Sequence, residues 1–248
     1  IPKVIQEFQK SDNIIQAQPN FIYKLLNTVP NDFYYANFQH NMPQIHMEET
    51  WDITVGNSKT VIAVVDSGVN WAHEDLKNNI WQNTDESDDG YDTDANGYAG
   101  DIRGWDFLGY ESGGSWHPDN NPMDIDGHGT HVAGIAAAQM NNSIGVAGVA
   151  PNCSIMPIKV VSNTGESTTY HLRQGVSYAI KNNADVINIS MGQDISTGPP
   201  QRDWQLEATI LEALRNNIVV VVAAGNETFE ITEDLTPASV QGGITVSA

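Results

Sequence analysis

A doubly wound α/β fold with a mostly parallel sheet is predicted by two features of this sequence: three continuous β-branched runs, and helical periodicity between them. The runs are Val61-Ile62-Ala63-Val64-Val65, Val186-Ile187-Asn188-Ile189 and Ile218-Val219-Val220-Val221-Val222-Ala223-Ala224. Each is continuous rather than alternating, as expected of strands buried on both faces of a parallel sheet. Residues 168–182 read as a helix with Leu172, Val176, Ala179 and Ile180 on one face, and 204–216 as another with Leu206, Ile210, Leu211 and Leu214. A third helix is predicted from His128 through the alanines 136–138. Strand and helix in alternation give the α/β class. Residues 83–126 form a long polar stretch rich in Asp, Asn and Gly, predicted to be a functional or tied-down loop. Residues 1–28 have weak periodicity and precede a turn at Val29-Pro30-Asn31-Asp32.

The 248 residues, 40% of them apolar, suffice for one domain of this class with a sizeable core. Thirty-one acidic against 11 basic side chains give a net charge of −20, which argues against nucleic-acid and anionic-membrane partners and suits a secreted protein or a binder of cations. No apolar run reaches the roughly 18 residues of a membrane span. The single cysteine, Cys153, excludes an intrachain disulfide and a thiolate zinc cluster; it reads as packing.

Three segments carry candidate chemistry. Asp66 follows the first buried strand in Val65-Asp66-Ser67-Gly68, at a strand's carboxyl end, where α/β sheets collect functional groups; alone it also reads as a turn or helix N-cap. His128 lies in Asp126-Gly127-His128-Gly129-Thr130-His131-Val132-Ala133-Gly134, flanked by glycines that permit close approach, and imidazole is the usual base at neutral pH. His128 and His131 could also ligate a metal, although the spacing and the lack of an accompanying Glu depart from the zinc-peptidase pattern. Asn226, in Ala223-Ala224-Gly225-Asn226, offers an amide donor for a developing oxyanion, or simply a turn.

Together, in this order, Asp-Ser-Gly, His-Gly-Thr-His-Val-Ala-Gly and Ala-Ala-Gly-Asn resemble the subtilisin-like serine proteases, from about Asp32 to the last residue. The resemblance implies a subtilisin-like sheet, C-terminally truncated, in which Asp66 orients and stabilises the base His128 and Asn226 is the oxyanion donor. It implies that Ser190-Met191-Gly192 is a substrate-binding strand and Gly165-Glu166-Ser167 its opposite wall, with an extended polypeptide substrate adding between them. Glu166, if it lines that cleft, favours basic side chains there. The family's nucleophile sits in a Gly-Thr-Ser-Met-Ala motif, and no Gly-Thr-Ser occurs among the 248 residues. The expectation is a secreted serine endopeptidase with a domain over 29–248 that lacks its nucleophile segment, so that this stretch by itself is inactive. A non-catalytic calcium- or peptide-binding relative is the alternative.

The resemblance also implies Ca²⁺. Residues 140–151 look like the family's calcium loop, implying Met140, Asn142, Ile144 and Val146 as ligands with the carboxylates of Asp75 and Asp32. A second candidate rests on the residues themselves. Asp92-Thr93-Asp94-Ala95-Asn96-Gly97 matches the start of an EF-hand loop, but position 12 is Arg103 rather than Glu, leaving Asp101 to supply a carboxylate; the other reading is a solvated acidic loop. Residues 1–28, with Val4-Ile5, Ile14-Ile15 and Pro19-Asn20-Phe21-Ile22-Tyr23, resemble the tail of an inhibitory propeptide, or form a plain N-terminal extension.

Overall fold

The computed structural model describes residues 2–8, 10, 13–14, 16–21, 28–87, 89–112, 115–193, 198–199, 201–226 and 234–247. Ile15, Ile22 and Tyr23 of the propeptide-like segment lie outside the described residues.

Seven strands form one sheet: β1 (Val61–Asp66), β2 (Trp105–Ser112), β3 (Ser115–Asp119), β4 (Ser154–Lys159), β5 (Val186–Ile189), β6 (Val219–Ala223) and β7 (Ile244–Val246), in the order β3-β2-β4-β1-β5-β6-β7. All neighbours pair in parallel except the β2–β3 hairpin at one edge. Helix α5 (His128–Ala137) packs on one face, and α6 (Thr169–Lys181) and α7 (Trp204–Arg215) on the other. Side chains alternate between the faces of a strand, and both faces of β1 are covered. Ala63 and Val65 join the core under α6 and α7, and Val64 the core under α5. That two-sided burial is why the run reads as continuous. By the same parity Asp66 faces α5, the helix that carries His128.

Helices α6 and α7 have their predicted places, each with a side-chain cap. Thr168 accepts from His171 N, and Asp203 accepts from Gln205 N and Leu206 N. A short N-terminal helix, α1 (Pro2–Phe8), precedes three more, α2 (Tyr35–Phe38), α3 (Asn41–Gln44) and α4 (Met47–Trp51). Tyr35, Met42, Met47 and Trp51 pack around Ala147, and Gln39 exchanges two 2.8 Å bonds with the Ala147 backbone. This ties residues 35–51 to the loop after α5.

The structure corrects the prediction of one long loop over 83–126, because β2 and β3 lie inside it. The strand signal of Trp105-Asp106-Phe107-Leu108 is obscured by Asp106, which is buried on the α5 face of the sheet and accepts from Leu108 N and Gly109 N, both at 2.8 Å. Strand β4 carries Pro157 in its interior, an unusual place for a residue without an N–H.

Candidate active site

The sheet places two of the three predicted catalytic groups in contact. Asp66 ends β1 with only 1% of its surface exposed, and its Oδ1 lies 2.7 Å from Nδ1 of His128 and accepts from Ser67 N at 2.7 Å. The His128 side chain is 54% exposed, so its other ring nitrogen is left for chemistry. The bond to Asp66 raises the imidazole pKa above its ordinary value against a smaller opposing effect of desolvation. Burial pushes the Asp66 carboxyl upward, and the bonds from His128 and Ser67 act against it.

His128 begins α5, whose N-cap, Gly127 (φ 106°), has no capping side chain. Asp124 does that work from further out. Its Oδ1 accepts from Ser67 Oγ, Asp126 N and Gly127 N, each at 3.0 Å, and its Oδ2 from Thr130 N at 2.9 Å and Thr130 Oγ1 at 2.5 Å. These bonds oppose burial and hold its carboxyl below the usual range. Ser67 Oγ in turn accepts from Gly129 N at 2.9 Å. Asp66 and His128 are thus fixed to each other through Ser67 and Asp124 as well as directly. Gly129 has to be glycine, since a Cβ there would sit 2.1 Å from the Gly68 carbonyl oxygen and 3.1 Å from Asp66 Oδ1. Beneath the Asp66 turn, buried Lys159 donates from Nζ to the Ser67 carbonyl at 3.0 Å. Sequence reasoning missed Asp124 and Lys159. The signal for the first was an Asp six residues before Thr130 at a helix start that lacks its own capping side chain.

Asn226 lies at the carboxyl end of β6, exposed, after Gly225 (φ 106°). Gly165, Glu166, Ser167, Met191 and Gly192 line one cleft of about 860 Å³, floored by Leu108, Val161, Leu172 and Leu206. Ser190 stands beside it, its Oγ accepting from Asn188 Nδ2 at 2.8 Å. The Gly165–Ser167 wall is a turn fixed by Ser162 N to Glu166 O at 2.8 Å, Gly165 at φ 80°, and Ser167 Oγ to Val160 O at 2.6 Å.

The first calcium set converges. Asp32 and Asp75 are 4% and 2% exposed. Asp32 Oδ2 accepts from Asn141 N at 2.8 Å, and its Oδ1 is buried without a hydrogen-bond partner. Asp75 accepts from Asn142 Nδ2 at 2.6 Å and Val146 N at 2.8 Å. Asn141, Ser143 and Gly145 all take positive φ in the loop that carries Met140, Asn142, Ile144 and Val146, of which Asn142 and Val146 meet Asp75. At Gly145 a Cβ would come within 1.9 Å of Asp75 Oδ2. Asn142 presents its Nδ2 to Asp75, while its Oδ1 accepts from Ile144 N at 3.0 Å. The buried Asp32 oxygen without a partner, on a loop that also meets the second buried carboxylate, is the feature that fits a hard divalent cation.

The second set divides. Asp92 and Asp94 gather with Glu86, which the sequence reading did not include, their carboxylate oxygens within 4.8 Å of one another. Glu86 accepts from Thr93 N, Asp94 N and Gly100 N. Asn96 bridges Asp94 and Asp101 through Nδ2. Asp101 instead faces the interior, 0% exposed, accepting from Asn83 Nδ2 at 2.8 Å and Tyr178 OH at 2.5 Å.

Comparison with known proteins bears on the family and the fold. Over the full 248 residues the chain is 33% identical to a thermophilic serine proteinase of Bacillus sp. (strain AK1), spanning 52% of that protein. It is 34% identical over 197 residues to thermitase of Thermoactinomyces vulgaris, with 79% of this chain matching 58% of that one. The chain therefore spans about half the length of these relatives. A solved structure of proteases from Pseudoalteromonas arctica superimposes with a TM-score of 0.69 at 28% identity, covering 88% of this chain and 65% of that one. The model of the subtilase family of peptidases matches residues 57–248, and the chain belongs to that family.

Proposed function

We propose that these residues form the base-bearing and substrate-binding part of a secreted, calcium-stabilised serine endopeptidase. The observation that carries the reading is the 2.7 Å contact between His128 Nδ1 and Asp66 Oδ1 at the carboxyl edge of the sheet. The nucleophile is the serine of the Gly-Thr-Ser-Met-Ala motif implied by the family resemblance, which is not among the 248 residues. A polypeptide substrate lies as an added strand between Ser190–Gly192 and Gly165–Ser167. As the serine oxygen attacks the scissile carbonyl, its proton passes to Nε2 of His128. Asp66 stabilises the imidazolium and holds its tautomer. The Asn226 amide donates to the oxyanion of the tetrahedral intermediate. His128 then returns the proton to the leaving amine, and a water that His128 deprotonates in its turn hydrolyses the acyl-serine, releasing the acid and restoring the hydroxyl.

Asp32, Asp75, Asn142 and the carbonyls of Met140, Ile144 and Val146 would hold the stabilising Ca²⁺. It would neutralise the two buried carboxylates and tie the N-terminal helices to the loop after α5. Asp92, Asp94 and Asn96 with Glu86 form a second, more open candidate, with Asp101 fixing Asn96 from behind. Residues 1–28 are read as the tail of an inhibitory propeptide; Thr28 joins the domain through N and Oγ1 bonds of 2.8 and 2.6 Å to Asp52 Oδ1. The charge of −20 disfavours nucleic acid, and no helix among the described residues is long and apolar enough to cross a membrane.

Hydrolysis of an unstructured polypeptide by the full-length protein tests the reading. Asn226→Ala is expected to lower kcat about 10²–10³-fold, and His128→Ala to leave only a trace. Unchanged turnover in the His128 variant overturns the assignment. A folded full-length protein with no turnover at all points to the non-catalytic relative.

A further inference from the structure

The cleft beside Met191 has an apolar floor and an acidic rim. Leu108, Val161, Leu172 and Leu206 form the floor, and among the described residues Glu166 and Asp203 are the only carboxylates that line it. Among the described residues no lysine or arginine lines it. The two carboxylates are not equivalent. Asp203 caps α7, with Oδ1 accepting from Gln205 N and Leu206 N and Oδ2 from Thr169 Oγ1, so it is held by three bonds of the fold. Glu166 is exposed on a turn whose backbone is pinned by Ser162, and its carboxylate has no hydrogen-bond or ion-pair partner among the described residues.

Arg202 grips Glu207 with two 2.7 Å bonds and stacks on Trp204. Arg173 keeps its charge, donating to the neutral amide of Gln205 with its Nε buried and without a partner, but it is not among the residues that line the cleft. His171, also in the cleft, has its pKa lowered by desolvation, so at neutral pH it sets no positive charge against a cation.

An apolar trough ending in an unpaired carboxylate is complementary to a side chain with an aliphatic stem and a cationic head. We propose that this cleft selects lysine or arginine side chains of the bound polypeptide, with Glu166 as the specificity-determining residue. The inference rests on the reading above that the substrate strand runs along this cleft. It is independent of the nucleophile.

The test uses the full-length protein, freed of any propeptide and inactivated with a fluorophosphonate, and ligands that therefore stay uncleaved: acetyl-tetra-alanine amides carrying one Lys, one norleucine or one Glu, scanned through the four positions. Norleucine supplies the lysine stem without the charge. Binding is read from the ¹³C-methyl resonance of Met191, assigned by its loss in Met191→Leu. At one position the Lys peptide is expected to bind about three- to five-fold more tightly than the norleucine peptide, as suits one solvent-facing charge pair, and the Glu peptide most weakly. Raising salt should shrink the difference. Glu166→Gln should make Lys and norleucine equal, and Glu166→Lys should favour the Glu peptide. Equal Lys and norleucine affinities, or a Lys preference that survives Glu166→Gln, overturns the proposal while leaving the substrate cleft intact. If no peptide moves the Met191 resonance, both the selectivity and the placement of the substrate strand fall. In either case the hydrolysis assay on the full-length protein still reports on the catalytic reading separately.

Discussion

Replacing Asp66 with Asn isolates what the carboxylate does for the imidazole. The side chain keeps its shape and an acceptor oxygen near His128 Nδ1 but loses its charge. A hydrogen bond to a charged group contributes about 1.5–3 kcal/mol. The His128 side chain is 54% exposed, so solvent screening reduces this to about 1 kcal/mol. At about 1.4 kcal/mol per unit, the His128 pKa should fall by roughly 0.5–1 unit in the variant. The assay is an NMR titration of the His128 ring proton, assigned by its loss in His128→Ala. The sign of the stability effect follows. Because the folded imidazole has a raised pKa, the pair stabilises the wild-type fold fully below the ordinary value of 6.5, and this is lost as pH climbs through the folded value. The wild-type Tm should therefore fall more between pH 6 and pH 8 than that of the variant. The change with pH reads the pair, since the substitution also removes a buried charge. A His128 pKa that stays put or rises in Asp66→Asn would refute the electrostatic argument.

Four further outcomes are expected. Gly129→Ala should cost about 2–4 kcal/mol, because its Cβ meets the Gly68 carbonyl at 2.1 Å, whereas Gly134→Ala on the same helix meets nothing within 4 Å and should stabilise by about 0.5–1 kcal/mol; urea unfolding of both checks the contrast. Asp124→Ala strips an acceptor from five donors and should cost at least about 3 kcal/mol, with the His128 resonance broadened as α5 loses its cap. Calcium at a hundredfold excess over its Kd should add about 2.7 kcal/mol, seen as a rise in Tm that chelator reverses and that Asp75→Ala removes. Tyr178→Phe withdraws the hydroxyl from buried Asp101 and should cost about 1–3 kcal/mol, measured by thermal unfolding at neutral pH.

The parts of the fold legible in the sequence were those whose burial is one-sided or complete. Both faces of Val61–Val65 are covered, so the run is unbroken, and the faces of α6 and α7 repeat at helical spacing. The hairpin of β2 and β3 was not legible, because Asp106 interrupts its strand signal with a carboxylate that is satisfied only by backbone two and three residues on. Strand β4 was obscured by Pro157, and β7 is three residues long with both ends exposed. At the candidate site the motif residues Asp66 and His128 could be read and meet in space. The residues that hold them together could not be. Asp124 and Lys159 act across gaps of 57 and 92 residues, through Ser67 Oγ and Ser67 O respectively. Such contacts exist only once the sheet has brought β1, β4 and the start of α5 together. Glu86 was missed for the same reason: it reaches Thr93, Asp94 and Gly100 only because the acidic loop folds back on itself.

The central claim is that Asp66 and His128 activate a serine that lies outside these 248 residues. A fluorophosphonate, which bonds covalently to an activated serine, tests it on the full-length protein after any propeptide has been shed. The account predicts labelling at one serine, within a Gly-Thr-Ser sequence, that disappears in His128→Ala while the variant stays folded. Absence of label on the folded protein, or a label that maps to a serine within residues 1–248, would contradict it.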